Sequence, residues 1–402
     1  MKTYPLKTKI NYFFIACLFV ASSVMPSILE AKTGLQQLSQ LRNAGLLMLD
    51  SSGNTLKSRN ADKPYIPAST TKLVTAWLAL THWNENYRFK TNFYWEPQSK
   101  TLSVKGSGDP FLVSEEIKRI AETLKQKGVR QVNTIVLDNS LFEPGLIMPG
   151  TGKTNNPYDA VPSALAANFN TVYVKKVGGK TRSAEKQTPL TGFSRYVAKR
   201  IKKGKLRVNT GRNPRDAERY FAELLNTFLQ PNNPQVLIVS DKITQKTPFY
   251  THTNSKTVGE MIKPMLKYST NFIANQLILK MSQEEYHRPA NRADVARYIK
   301  MRLTQAFPHW RHFTLKDGAG LSRKNRLSPR QLVDLLGKFK QWKHLLPEVE
   351  KNVFAKSGTL NRVSTLAGYV RSHGQYEPFA LMMNQSVPYR LRNKIARELA
   401  WR

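Results

Sequence analysis

Acidic residues are the scarcest resource in this chain. Its 402 residues contain 27 Asp plus Glu against 63 Lys plus Arg, a formal net charge of +36. So large an excess draws anionic partners without choosing among nucleic acid, anionic lipid and acidic wall polymers. Cysteine is nearly absent. The single one, Cys17, lies inside the N-terminal apolar run, so a mature chain forms no internal disulfide. A lipid-attachment reading of Phe14-Ile15-Ala16-Cys17 fits poorly, because most of the apolar run would follow the modified cysteine. Seven scattered histidines show no metal-ligand spacing, so neither a metal nor another cofactor is expected. No internal repeat is evident. The hydrophobic fraction of 40% is ordinary, which removes disorder as the default.

Long hydrophobic runs are also missing, apart from one. Lys2, Lys7 and Lys9 precede an apolar stretch from Tyr12 through Val20 that thins toward Met25 and breaks at Pro26-Ser27. This is the shape of a secretory signal peptide, too short and too soon broken for a convincing membrane span. Residues 1–31 are read as that signal, cleaved near Ala31, and the mature protein as exported to the periplasm or cell envelope. An uncleaved anchor is the alternative. Export removes nucleic acid from the expected partners.

Two strands flank the turn Asp50-Ser51-Ser52-Gly53-Asn54, and Ile66-Pro67-Ala68 leads to Ser69. From Thr70 the pattern turns helical, with Leu73, Trp77 and Leu80 on one face. A second hairpin spans Phe89 to Trp95 and Thr101 to Lys105. A helix over Glu115 to Lys127 and a buried strand over Val132 to Leu137 follow. Between Lys175 and Arg219 the chain is crowded with cations, densest at Lys199-Arg200-Ile201-Lys202-Lys203. A solvated face is the plain reading of that run, and a patch for an anionic membrane or wall surface is the functional one. Helices over Val258 to Leu266, Phe272 to Lys280 and Asn291 to Leu303 precede strands over Ser364 to Val370 and Pro378 to Met383, then a helix near Tyr389 to Ala400. The chain reads as one α+β domain, residues 32–86 and 249–402, split by an inserted domain over 87–248.

Three short motifs occur in order: Ser69-Thr70-Thr71-Lys72 as S-x-x-K, Ser269-Thr270-Asn271 as S-x-N, and Lys356-Ser357-Gly358 as K-[TS]-G. One helical turn sets Ser69 and Lys72 side by side. Desolvation and a neighbouring cation lower a lysine pKa until the free amine accepts the serine proton. Lys356 would supply that cation and hold a substrate carboxylate. Ser269 would relay a proton to the leaving nitrogen, and Asn271 would hold substrate and orient Lys72. Gly358 would let a backbone approach closely. The N–H groups of Ser69 and Thr359 would make an oxyanion hole. Each motif alone is weak. Together, in order and behind an export signal, they define a candidate site.

These motifs resemble the D-alanyl-D-alanine carboxypeptidase/endopeptidase family, the low-molecular-mass class C penicillin-binding proteins. Lys105-Gly106-Ser107-Gly108-Asp109-Pro110 is similar to that family's K-G-G-G-D-P segment, and Asp317-Gly318-Ala319-Gly320-Leu321-Ser322-Arg323 with Asn325 to its D-G-S-G-L-S-R-x-N stretch. The long gap from Lys72 to Ser269 is also typical of it. The resemblance implies a penicillin-binding/β-lactamase-like transpeptidase fold: an antiparallel sheet flanked by helices, a helical part and an inserted smaller domain. It implies a serine-type peptidase that acts on peptidoglycan stem peptides through an acyl-enzyme on Ser69 and is trapped covalently by β-lactams. Lys72, Ser269, Asn271 and Lys356 would complete the catalytic set, with Ser357, Gly358 and Thr359 lining it. Asp138, Phe142, Arg323 and Asn361 fall where the family contacts the stem-peptide diamino acid. Thr270, Ser357 and Ala319 depart from the family's usual aspartate, threonine and serine, with size or backbone requirements kept.

Two rival readings share the fold. A class A β-lactamase deacylates with a glutamate downstream of its second motif, and no glutamate lies between Glu285 and Glu348. A catalytically silent wall-binding scaffold has no need to keep all five motif residues.

Overall fold

Local chemistry sets the turns that order the chain. The Asp50 carboxylate accepts from the N–H groups of Ser52 and Asn54 at 2.9 and 2.8 Å, folding the link between strands Ala44–Leu49 and Thr55–Arg59. At His373 and Gly374 the backbone is left-handed, φ 48° and 77°, which suits a two-residue hairpin turn between Val363–Ser372 and Gln375–Met383. Thr257 and Glu260 form a reciprocal cap on helix Val258–Tyr268. That helix stops at Ser269, whose φ of 57° reverses the chain into helix Asn271–Tyr286.

The computed structural model describes residues 32–232 and 235–401, so the signal segment expected over 1–31 lies outside the described residues. Among the described residues no helix is long and apolar enough to cross a membrane.

Six strands make one antiparallel sheet in the order Glu348–Glu350, Val353–Leu360, Val363–Ser372, Gln375–Met383, Ala44–Leu49, Thr55–Arg59. Among the described residues, strands from near both ends thus share a sheet. One of its faces packs under helices Gly34–Ser39 and Leu391–Ala400. The other faces a larger core built on helix Thr71–Trp83. The apolar spacing predicts a one-sided helix there, but Thr71 through Leu80 are all buried, as befits a helix enclosed by layers on every side.

Two further sheets lie between. Tyr250–Thr253, Lys90–Glu96, Thr101–Lys105, Thr134–Asp138 and Leu237–Ser240 form a mixed sheet in that order. Its Thr101–Lys105, Thr134–Asp138 and Leu237–Ser240 strands are parallel, because helices Ser114–Gln126 and Pro214–Leu229 provide the crossovers. Strand Tyr250–Thr253 carries this sheet past Pro248. A small antiparallel sheet sets Thr171–Val177 between Lys180–Ser183 and Gly204–Asn209. These two sheets and their helices share a core of their own.

Candidate active site

Ser69 sits in a single 3-10 turn, Ala68–Thr70, immediately before helix Thr71–Trp83. Ala68, which opens the turn, is left-handed, φ 48°, an uncommon state for a non-glycine residue. Glycines make room for it from two sides. A Cβ at Gly358 would stand 2.8 Å from the Ser69 nitrogen and 2.9 Å from the Pro67 oxygen. The sequence assigns Gly358 to the approach of a substrate backbone. The side on which its Cβ would stand faces the serine turn and Thr365. Gly320, φ 84°, presses against the Ala68 carbonyl so closely that a Cβ there would overlap it.

Lys72 is completely buried, and its Nζ donates to Ser69 Oγ at 3.0 Å, Asn271 Oδ1 at 2.7 Å and the Ala319 carbonyl at 2.7 Å. Burial drives its pKa well below the ordinary lysine value. The Lys356 charge pushes the same way, and Asp317 opposes. The Ala319 carbonyl is aimed by a tight loop. Buried Asp317 accepts from the N–H groups of Ala319, Gly320, Leu321 and Ser322 at 2.9, 2.5, 3.0 and 2.9 Å, and from Asn325 Nδ2 at 3.0 Å. That set accounts for the Asp317, Gly320 and Asn325 positions of the D-G-A-G-L-S-R-x-N stretch. Asn271 also reaches the other way, donating from Nδ2 to the Tyr158 carbonyl at 3.0 Å.

Lys356 lies buried on strand Val353–Leu360, its Nζ donating to the Ser357 carbonyl at 2.6 Å. Burial, helped by the Arg392 charge, lowers its pKa to about 8. Two participants carry no sequence signal. Arg392, from the last helix, donates to the Gly358 carbonyl and to Thr359 Oγ1, both at 3.1 Å, and burial lowers its pKa. Thr365 is buried and donates to the Pro67 carbonyl at 2.8 Å, tying the serine turn to the sheet. Only folding brings them to the motifs.

Ser269 and Asn271 line a cavity of about 820 Å³ with Tyr158, Phe169 and Tyr268. Asn361 lies in the exposed turn between strands Val353–Leu360 and Val363–Ser372, where Arg323 Nη1 donates to its carbonyl at 3.1 Å. Asp138 and Phe142 lie elsewhere, along a separate cavity of about 600 Å³ whose lining includes Glu218 but none of the three motifs. There Asp138 is buried and accepts from the N–H groups of Ser140 at 3.0 Å and Ile243 at 3.1 Å. Glu218 accepts from Asn139 Nδ2 at 2.6 Å, and burial pushes its carboxyl up to about 7.

A buried lysine held beside a serine hydroxyl, with a second lysine and an arginine across a strand, suits nucleophilic attack on a substrate that carries a carboxylate. Comparison with known proteins agrees in kind. The model of the D-Ala-D-Ala carboxypeptidase 3 (S13) family matches residues 31–205 and 197–347. The D-alanyl-D-alanine carboxypeptidase DacB of Haemophilus influenzae is 24% identical over 419 residues, 87% of this chain and 87% of that protein. A D-alanyl-D-alanine carboxypeptidase of Actinomadura sp. (strain R39) is 24% identical over 406 residues, 81% of this chain and 75% of its own. In fold, the chain is similar to the crystal structure of penicillin binding protein 4 (dacB) from Haemophilus influenzae. That match has a TM-score of 0.73 at 21% identity and covers 91% of this chain and 98% of the other.

Proposed function

The chain belongs to the D-Ala-D-Ala carboxypeptidase 3 (S13) family, and on that premise we propose that it hydrolyses peptidoglycan stem peptides through an acyl-enzyme on Ser69. The observation that carries the reading is Lys72, buried, depressed in pKa and 3.0 Å from Ser69 Oγ. As a free amine it takes the hydroxyl proton while Oγ bonds to the carbonyl carbon of the penultimate D-alanine. The N–H groups of Ser69 and Thr359 receive the developing oxyanion. The C–N bond then breaks, and the proton passes from Lys72 through Ser269 to the departing amine. Water enters, loses a proton to Lys72 and cleaves the Ser69 ester. Lys356 and Arg392 hold the terminal carboxylate, with Arg392 also fixing the Gly358 carbonyl. Ser357 and Gly358 line the strand along which the substrate lies. Arg323 and Asn361, paired by a hydrogen bond of 3.1 Å at its exposed end, would meet the stem-peptide side chain. The reading includes D,D-endopeptidase action on cross-linked dimers, whose scissile bond has the same chemistry.

Digestion of purified muropeptides tests it. Mass spectrometry should show loss of one alanine from monomeric pentapeptides, splitting of dimers, and neither with Ser69→Ala. Folded wild-type protein that leaves both substrates intact would contradict it.

A further inference from the structure

The three-stranded sheet carries cations in an arrangement that sheet stability alone disfavours. At the turn Val177-Gly178-Gly179-Lys180 both glycines are left-handed, φ 56° and 72°, the geometry of a two-residue hairpin. That turn fixes the register, so Lys175 stands directly opposite Arg182. Across its other edge Lys175 stands opposite Lys205. Directly opposed residues of antiparallel strands project from one face, and like charges there repel. The row Arg182, Lys175, Lys205 therefore crosses all three strands as like charge, with every member exposed. The nearby acid, Glu185, is already paired with Arg207. Among the described residues no ion pair reaches Lys175, Arg182 or Lys205.

The same face continues on both sides of the row. Tyr173, Lys175 and Val177 alternate along the central strand, Arg207 opposes Tyr173, and Lys180 opposes Val177. Lys205 Nζ and the Arg207 guanidinium stand 4.9 and 4.7 Å from the centre of the Tyr173 ring, holding both charges over the sheet. Val177, at the end of the hairpin, is 68% exposed. Exposed Lys202 and Lys203 enter the third strand at that same end.

We propose that this sheet face docks on a membrane surface rich in anionic phospholipid headgroups. A plane of cations is complementary to a plane of phosphates, which would relieve the repulsion within the row. The exposed valine among the cations favours lipid over a wall polymer, because a bilayer boundary also takes up apolar surface. The opposite face of this sheet packs into the core through Val172, Val174 and Val208, which keeps the cationic face turned outward.

The test is vesicle sedimentation of the chain from Lys32 onward, which contains every element described here. Vesicles would hold phosphatidylcholine alone or with about one-third phosphatidylglycerol. Wild type should bind the anionic vesicles and not the neutral ones, and should be released at 1 M salt, where screening shortens to about 3 Å. Each cation near such a surface strengthens binding roughly fivefold, so Lys175→Gln/Arg182→Gln/Lys205→Gln should lose about a hundredfold. Its thermal stability should equal or exceed that of wild type, since repulsion is removed, and its labelling by penicillin should be unchanged. Equal binding of wild type and variant to anionic vesicles would overturn the proposal. So would wild-type binding to neutral vesicles, or a loss seen only with isolated wall sacculi, which would assign the face to a wall polymer.

Discussion

Lys72 Nζ donates to Asn271 Oδ1 at 2.7 Å, joining the first and second motifs in one buried hydrogen bond. Asn271 in turn holds the Tyr158 carbonyl, so the amine, the second motif and the backbone at Tyr158 form one chain of contacts. The amine is thereby aimed at Ser69 and kept from water.

Replacing the base should separate chemistry from folding. Lys72→Ala should slow acylation by penicillin by about 10² or more. It also leaves Asn271 Oδ1 and the Ala319 carbonyl without their buried donor, at about 1–3 kcal/mol of stability. Labelling rates and urea unfolding measure the two. Near-normal labelling would move the base to another group.

The pH profile of kcat/KM should fall on both sides. In the proposed mechanism Lys72 acts as a free amine, so acid should remove activity, at a pH below the ordinary lysine range. Lys356 must be a cation to hold a carboxylate, and its pKa of about 8 sets the alkaline limb. Arg392→Gln removes one cause of that depression, so the alkaline limb should move upward while kcat/KM falls. An unmoved limb would assign it to another group.

Glu218 offers a stability test away from the serine. Burial raises its carboxyl to about 7 from an unfolded value near 4.5, so between these pH values the folded state holds the proton more tightly. Neutral below about 4.5, the buried carboxyl costs nothing, and as pH rises through 7 the folded state comes to bear the full penalty of a buried carboxylate. Glu218→Gln should therefore stabilise the protein at pH 8 by on the order of 2–3 kcal/mol and change little at pH 4. Thermal melts at the two pH values decide.

Gly320 and Gly374 share a left-handed backbone but not surroundings. A Cβ at Gly320 meets the Ala68 carbonyl, whereas one at Gly374 meets nothing within 4 Å. Gly374→Ala should cost about 1 kcal/mol, the strain of the conformation alone. Gly320→Ala should cost more and should slow penicillin labelling, because it displaces the serine turn. Equal melts and equal labelling would contradict this account of the loop.

Much of this was legible where the signal is local. The hairpin at Asp50, the helix after Ser69 and the break at Ser269 follow from turn residues, caps and periodicity. The first two motifs named Ser69, Lys72 and Asn271, which meet at the buried amine, because each motif is a short run on one element. The parallel pairing of Thr101–Lys105 with Thr134–Asp138 was not legible, since it depends on how a crossover helix packs. Arg392 and Thr365 were silent for a similar reason: a single residue on a distant element has no pattern until the sheet closes. The Asp317 loop was readable as a resemblance, but its work of turning the Ala319 carbonyl toward Lys72 lies in backbone N–H groups that sequence does not display.

The central claim is that Ser69 is the atom acylated, and one mass measurement reaches it. A penicillin presents a strained amide and a carboxylate to the groups arranged around Ser69, and its ring-opened acyl group should stay on that oxygen. After brief incubation and proteolysis, the adduct should map to the peptide containing Ser69 and vanish in Ser69→Ala. An adduct on any other residue, or a well-folded wild type that gains no mass, would contradict the account.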